Sequence, residues 1–93
     1  MVVIREDGSS EVVEGSRKLA LDTLQGIVGG YIEIVGFSDG SAFVVNEEGL
    51  LRGLPTNVAA SLIAASKGRP VTLVGPVAFL SSAEVAALDE EDA

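Results

Sequence analysis

Cysteine and histidine are both absent from the 93 residues. Without cysteine there is no disulfide, no thiolate metal site and no thiolate nucleophile. Without histidine the commonest general base and metal ligand is missing as well. Any catalysis would therefore fall to carboxylates, hydroxyls, lysines and a single tyrosine. Basic residues are scarce: six Lys and Arg stand against fourteen Asp and Glu, for a net charge of −8. Such a chain repels phosphate backbones, so direct nucleic-acid binding is not expected. No stretch reaches the roughly 18 apolar residues that span a bilayer, and the opening MVVIREDG has no basic region followed by a long apolar run. The chain thus reads as a soluble, cytoplasmic protein without a membrane partner.

What is present is apolar content of 47%, enough for one modest core and one domain covering residues 1–93. Val2, Val3 and Ile4, the turn chemistry of Asp7-Gly8, and Glu11 to Glu14 predict an N-terminal hairpin. Leu24, Ile27 and Val28 fall at helical spacing, with Asp22 or Thr23 as N-cap and Gly29-Gly30 as the stop. YIEIVGF and SAFVVN flank Ser38-Asp39-Gly40 and predict a second hairpin. In its first strand Ile32 and Ile34 are expected to meet the core, leaving Tyr31, Glu33 and Val35 on the other face. A helix capped by Thr56 or Asn57 and ended by Lys67-Gly68 carries Val58, Leu62 and Ala65 at helical spacing, with Ala59 and Ile63 alongside. PVTLVGPVAFL reads as two strand pieces broken at Gly75-Pro76. Ser81 and Glu84 form a capping-box pattern ahead of Val85 and Leu88. Residues 89–93 carry four acids and are expected to be a disordered tail that contributes little to folding.

These elements predict an α+β fold: a mixed or antiparallel sheet of about five strands, built from two hairpins and a C-terminal strand, with two to three short helices largely on one face.

VGGYIEIV, then VVNEEGLLRGLPTN, then a small-residue helix and VGPVAFL, resemble a family of small uncharacterised domains found in phages, mobile elements and actinobacteria. The most specific matching parts are Gly29-Gly30-Tyr31-Ile32-Glu33, Asn46-Glu47-Glu48-Gly49, and Gly53-Leu54-Pro55 with Asn57. The resemblance implies origin rather than mechanism, and it favours a module that binds host factors.

No catalytic or cofactor motif stands against that reading. Gly36-Phe37-Ser38-Asp39-Gly40 spells G-x-S-x-G, yet it joins two strands and has no histidine to serve it. The glycine-bearing stretches reproduce neither a phosphate-binding loop nor a dinucleotide fingerprint, so no cofactor is expected. Glu47 and Glu48 beside Asn46, with Asp39 nearby, lack calcium-loop spacing, so no metal is expected either. The protein is read as a non-enzyme that binds a host or element-encoded protein. The alternative is a small-ligand-binding domain, for instance one that sequesters nucleotides, with a pocket between residues 46–57 and the Tyr31 strand. Candidate binding residues are Tyr31, Glu33, Asn46, Glu47, Glu48, Arg52 and Asn57. Within the 46–57 stretch, Gly49 and Gly53 are assigned to positive-φ turns and Asn57 to a helix cap worth about 1 kcal/mol, whereas Glu47, Glu48 and Arg52 serve no evident turn or cap. With few aromatics and a mean hydropathy of +0.43, the domain is expected to self-associate as a homodimer.

Overall fold

The computed structural model describes residues 1–13 and 21–91. Strands β1 (Val2–Ile4) and β2 (Ser10–Val12) precede helix α1 (Leu21–Val28). Strands β3 (Ile32–Gly36) and β4 (Ala42–Asn46), helix α2 (Val58–Ser66), strand β5 (Val77–Leu80) and helix α3 (Ser82–Glu91) follow. The five strands form one sheet in the order β2-β1-β5-β4-β3, and every neighbouring pair is antiparallel. Both hairpins are where the sequence places them. The far end of the second strand, Glu14, lies outside the described residues.

The sheet is covered on both faces, not largely on one. Phe43 and Val45 of β4 point with Ile4, Val35 and Val77 towards Ala60 and Ala64 of α2. Val44, Ala78 and Leu80 point the other way, towards Leu24 and Val28 of α1, with Val85 of α3 packed against the same cluster. Alternation along a strand sends successive side chains to opposite faces. A run such as Ala42-Phe43-Val44-Val45 is therefore apolar throughout because both of its faces are buried.

Among the described residues α1 spans Leu21–Val28, so Asp22 and Thr23 lie inside it rather than capping it. α2 carries the N-cap at Asn57 as expected, but its apolar stripe is rotated from the one predicted. Ala60 and Ala64 face the sheet, whereas Val58 and Leu62 are 58% and 66% exposed. Asn57 causes this shift: its side chain is buried, Ala60 and Ala64 lie three and seven residues on, and those positions share its face. Alanines on that face let the helix approach the sheet closely.

The stretch before β5 is not a strand. Leu73 enters the core, Val74 makes a single bridge with Thr56, and regular pairing starts only at Val77, after Pro76. The capping box of α3 is reciprocal: Ser81 N–H donates to Glu84 Oε1 at 3.0 Å and Glu84 N–H donates to Ser81 Oγ at 3.2 Å. The Met1 amino group lies 2.7 Å from the other Glu84 carboxylate oxygen. α3 runs through Asp89 to Glu91, and residues 92–93 lie outside the described part.

At the β3–β4 turn, Lys67 Nζ donates to Asp39 Oδ2 at 2.8 Å and sits over the rings of Phe37 and Phe79, 5.5 and 5.4 Å from their centroids. It ties the end of α2 to the hairpin. The Lys67 ammonium, with the hydroxyl and N–H of Ser41, holds the Asp39 carboxyl well below the usual carboxylate range. A depressed folded-state pKa gives stability that is full above the unfolded value of 3.8 and is lost as the pH falls below it. Asp39→Asn should therefore flatten the acid limb of a melting-temperature profile. Parallel acid limbs for variant and parent would contradict this.

Candidate functional site

Residues 46–57 leave the end of β4 and return to the start of α2. Asn46 is buried; its Nδ2 donates to the Val28 carbonyl at 3.0 Å and its Oδ1 accepts from the Glu48 N–H at 2.8 Å. The chain then turns tightly. Arg52 N–H donates to Glu48 O at 2.9 Å, Gly53 N–H to Leu50 O at 3.1 Å and Leu54 N–H to Gly49 O at 3.1 Å. The last two bonds, with Gly53 at φ +65°, form the Schellman arrangement that ends helices, here closing a single turn.

Gly49 does not take a positive φ as the sequence reading has it. It is required instead by close approach: a Cβ there would lie 2.7 Å from Val74 Cγ2 and 3.3 Å from the Asn46 carbonyl oxygen. Arg52 is also less idle than expected, since its Nη1 donates to the Gly29 carbonyl at 3.0 Å. Val28 and Gly29 end α1, where carbonyls lack helical partners and cations are favoured. Asn46 and Arg52 thus fasten the loop to the C-terminal end of α1.

At the other end, Asn57 is 0% exposed. Its Oδ1 accepts from the Ala60 N–H at 3.1 Å, while its Nδ2 donates to the carbonyls of Ile4 and Gly75, both at 2.9 Å. Its own N–H donates to Leu73 O at 2.8 Å, and Gly75 N–H donates to Pro55 O at 2.8 Å. One side chain therefore joins α2, β1 and the approach to β5.

The candidate residues divide into three groups. Asn46 and Asn57 are internal, and Arg52 holds the loop from its surface. Glu33 and Glu47 are exposed and, with Asn46, line a cavity of about 200 Å³ that also takes in Val35, Leu50, Arg69 and residues 71–74. Tyr31 and Glu48 are outside that lining; Tyr31 is exposed, and its carbonyl accepts from the Glu47 N–H at 2.9 Å. The expected split of β3 into a core face and an outer face is corrected. Val35 is buried on the α2 side, Ile32 is half-buried on the α1 side, and Ile34 is 53% exposed. β3 is an edge strand, with helices on both sides of the sheet, so neither of its faces is uniformly covered.

Sequence reasoning passes over Leu50 and Leu51, which are 76% and 88% exposed. Their signal is nevertheless in the sequence. Two adjacent leucines between Gly49 and Gly53 belong to a turn without strand or helix periodicity, so no regular element can bury both. A larger recess of about 550 Å³ lies between the N-terminal hairpin and α1, bordered by Val3, Arg5, Thr23 and Ile27, and none of the candidate residues line it.

Among the described residues, no three carboxylates lie close enough together to hold a metal ion, and no helix is long and apolar enough to cross a membrane. No curated protein and no solved structure matches the chain. A family model does, over residues 1–92. By that match the chain belongs to DUF3846, a domain of unknown function.

Proposed function

We propose that the domain is a non-enzymatic, cytoplasmic protein-interaction module whose contact surface is the tip of the 46–57 loop. One observation carries this reading: Leu50 and Leu51 project into solvent from a loop whose frame is fixed by Asn46, Arg52 and Asn57. Ordering a loop costs free energy on binding, and a loop ordered beforehand avoids that cost. Exposed apolar side chains on a fixed frame suit the desolvated centre of an interface, and Glu47 and Tyr31 around them suit its polar rim. The resemblance to phage and mobile-element domains makes a host or element-encoded protein the expected partner.

Supporting this choice over a small-ligand pocket is the size of the neighbouring cavity. At about 200 Å³ it is smaller than the roughly 300–1,000 Å³ of typical ligand sites. The full sequence lacks histidine and cysteine, which supports a non-enzymatic role, and its net charge supports a partner other than nucleic acid.

The test is a quantitative affinity capture from source-cell lysate with the parent and with Leu50→Ser/Leu51→Ser. Both side chains are already in water, so the double variant should keep the parent's circular dichroism and melting temperature. It should lose at least about tenfold of the parent's specific captures, since truncating an interface anchor typically costs 1–2 kcal/mol or more. Equal capture by the two proteins would remove the loop tip from the interface.

A further inference from the structure

We infer that two copies of the chain pair through the open edge of β3, antiparallel about a two-fold axis at Ile34, continuing one sheet into the other. The inference is independent of the loop-tip reading. Among the described residues β3 pairs only with β4. In that pairing Tyr31 O accepts from the Glu47 N–H and Phe37 N–H donates to Ser41 O. Hydrogen-bonding direction alternates along an antiparallel strand. Glu33 and Val35 therefore also turn their backbone groups to β4, while Ile32, Ile34 and Gly36 turn theirs outwards. The guanidinium of Arg69 marks that outer edge by donating to Gly36 O at 2.7 Å.

Unpaired strand edges recruit other strands unless they are blunted by charged side chains, proline, a bulge or a covering segment. β3 reads Ile-Glu-Ile-Val-Gly, with one charged residue, Glu33, and no lysine or proline, and Arg69 covers the outward edge only at the Gly36 carbonyl. Its sequence is also self-complementary in one register. Pairing Ile34 with Ile34 of the second copy sets Ile32 against Gly36 and Glu33 against Val35, and all five residues overlap. The outward N–H and C=O of Ile34 then bond reciprocally, and the exposed Ile34 side chains cover each other. Gly36 N–H donates to Ile32 O of the second copy, and the Gly36 carbonyl is shared between that copy's Ile32 N–H and Arg69. Sliding the register so that Glu33 meets Glu33 would put like charges directly opposite, which is destabilising. Sliding it so that Val35 meets Val35 would leave Ile32 beyond the paired segment.

Charge supports the same register. Arg69 sits beside Gly36 and lines the same cavity as Glu33, on the α2 side of the sheet. In the dimer Gly36 lies against Ile32 of the second copy, so Arg69 approaches that copy's Glu33, and the two-fold repeats the contact. Among the described residues neither Arg69 nor Glu33 belongs to an ion pair within the chain. Two chains of charge −8 repel at long range, but at about 0.15 M salt that repulsion is screened beyond about 8 Å.

Sedimentation equilibrium of the full chain tests the pairing. The parent should sediment at twice the 9.5 kDa chain mass. Ile34→Lys, which sets two ammonium groups face to face at an already exposed position, should sediment as a monomer with an unchanged far-ultraviolet spectrum. Arg69→Glu and Glu33→Arg alone should each weaken association roughly two- to thirtyfold, as expected for the loss of two exposed ion pairs, and the two together should restore it. The charge-exchange set remains decisive if the lysine variant does not fold. A parent that stays monomeric at millimolar concentration would overturn the inference. So would a dimer indifferent to Ile34→Lys, which would point to another face such as Val58 and Leu62 of α2. Failure of the double exchange to restore association would overturn the register.

Discussion

Asn57→Ala is expected to remove about 3–5 kcal/mol of folding stability, combining a lost N-cap with two stranded buried carbonyls. The side chain is fully buried and makes three hydrogen bonds, to Ala60 N–H, Ile4 O and Gly75 O. Alanine offers none of them, and water cannot readily replace them there. Domains of this size are typically stable by only about 5–15 kcal/mol, and at about 4–8 °C per kcal/mol the variant should melt roughly 12–40 °C below the parent. Serine separates the two roles of the residue. As an N-cap it matches asparagine, but it cannot reach both carbonyls. Asn57→Ser should therefore fall much nearer to alanine than to the parent in urea unfolding. A serine variant as stable as the parent would reduce Asn57 to a simple cap.

Phe43→Ala should cost a similar amount, about 3–5 kcal/mol, through lost apolar transfer and the cavity left behind. Phe43 is fully buried at the centre of the α2-side core. Its ring meets Phe37 edge-on at 5.2 Å and Phe79 at 5.8 Å, and on β4 it lies between Val35 of β3 and Phe79 of β5. Removing it empties the junction of three strands, where the backbone of a paired strand cannot collapse inwards. Phe43→Leu, which keeps most of the volume, should cost less than about 1.5 kcal/mol. Equilibrium unfolding in urea reads both variants, and equal losses for alanine and leucine would contradict the packing described.

The contrast between these two residues shows what the sequence could reveal. Local chemistry was legible: Ser38-Asp39-Gly40 made its turn, Ser81 and Glu84 made their box, and Asn57 capped α2, each by contacts within a few residues. Non-local chemistry was hidden. Asn57 was readable as a cap but not as an anchor, because Ile4 and Gly75 lie 53 and 18 residues away. Arg52 looked unemployed because its acceptor, Gly29, is 23 residues distant. The inward face of α2 is hidden for a related reason: apolar spacing favours Val58 and Leu62, whereas the buried amide of Asn57 fixes the helix with Ala60 and Ala64 inwards. The two-sided covering of the sheet was implicit in the unbroken apolar run of β4, a pattern that a buried helix segment can also show. At the candidate site, the glycines, proline and asparagines of 46–57 mark it as an irregular, shaped stretch, whereas the exposure of Leu50 and Leu51 depends on the tertiary frame around them.

The proposed interface requires the loop to be a fixed frame that displays Leu50 and Leu51. Backbone ¹⁵N relaxation of the free protein measures this directly. The amides from Glu48 to Leu54 should give order parameters of about 0.85, equal to those of β4, as expected for rigid backbone. Values below about 0.6 at Leu50 and Leu51 would mean a flexible loop, and the preorganised interaction surface would have to be abandoned.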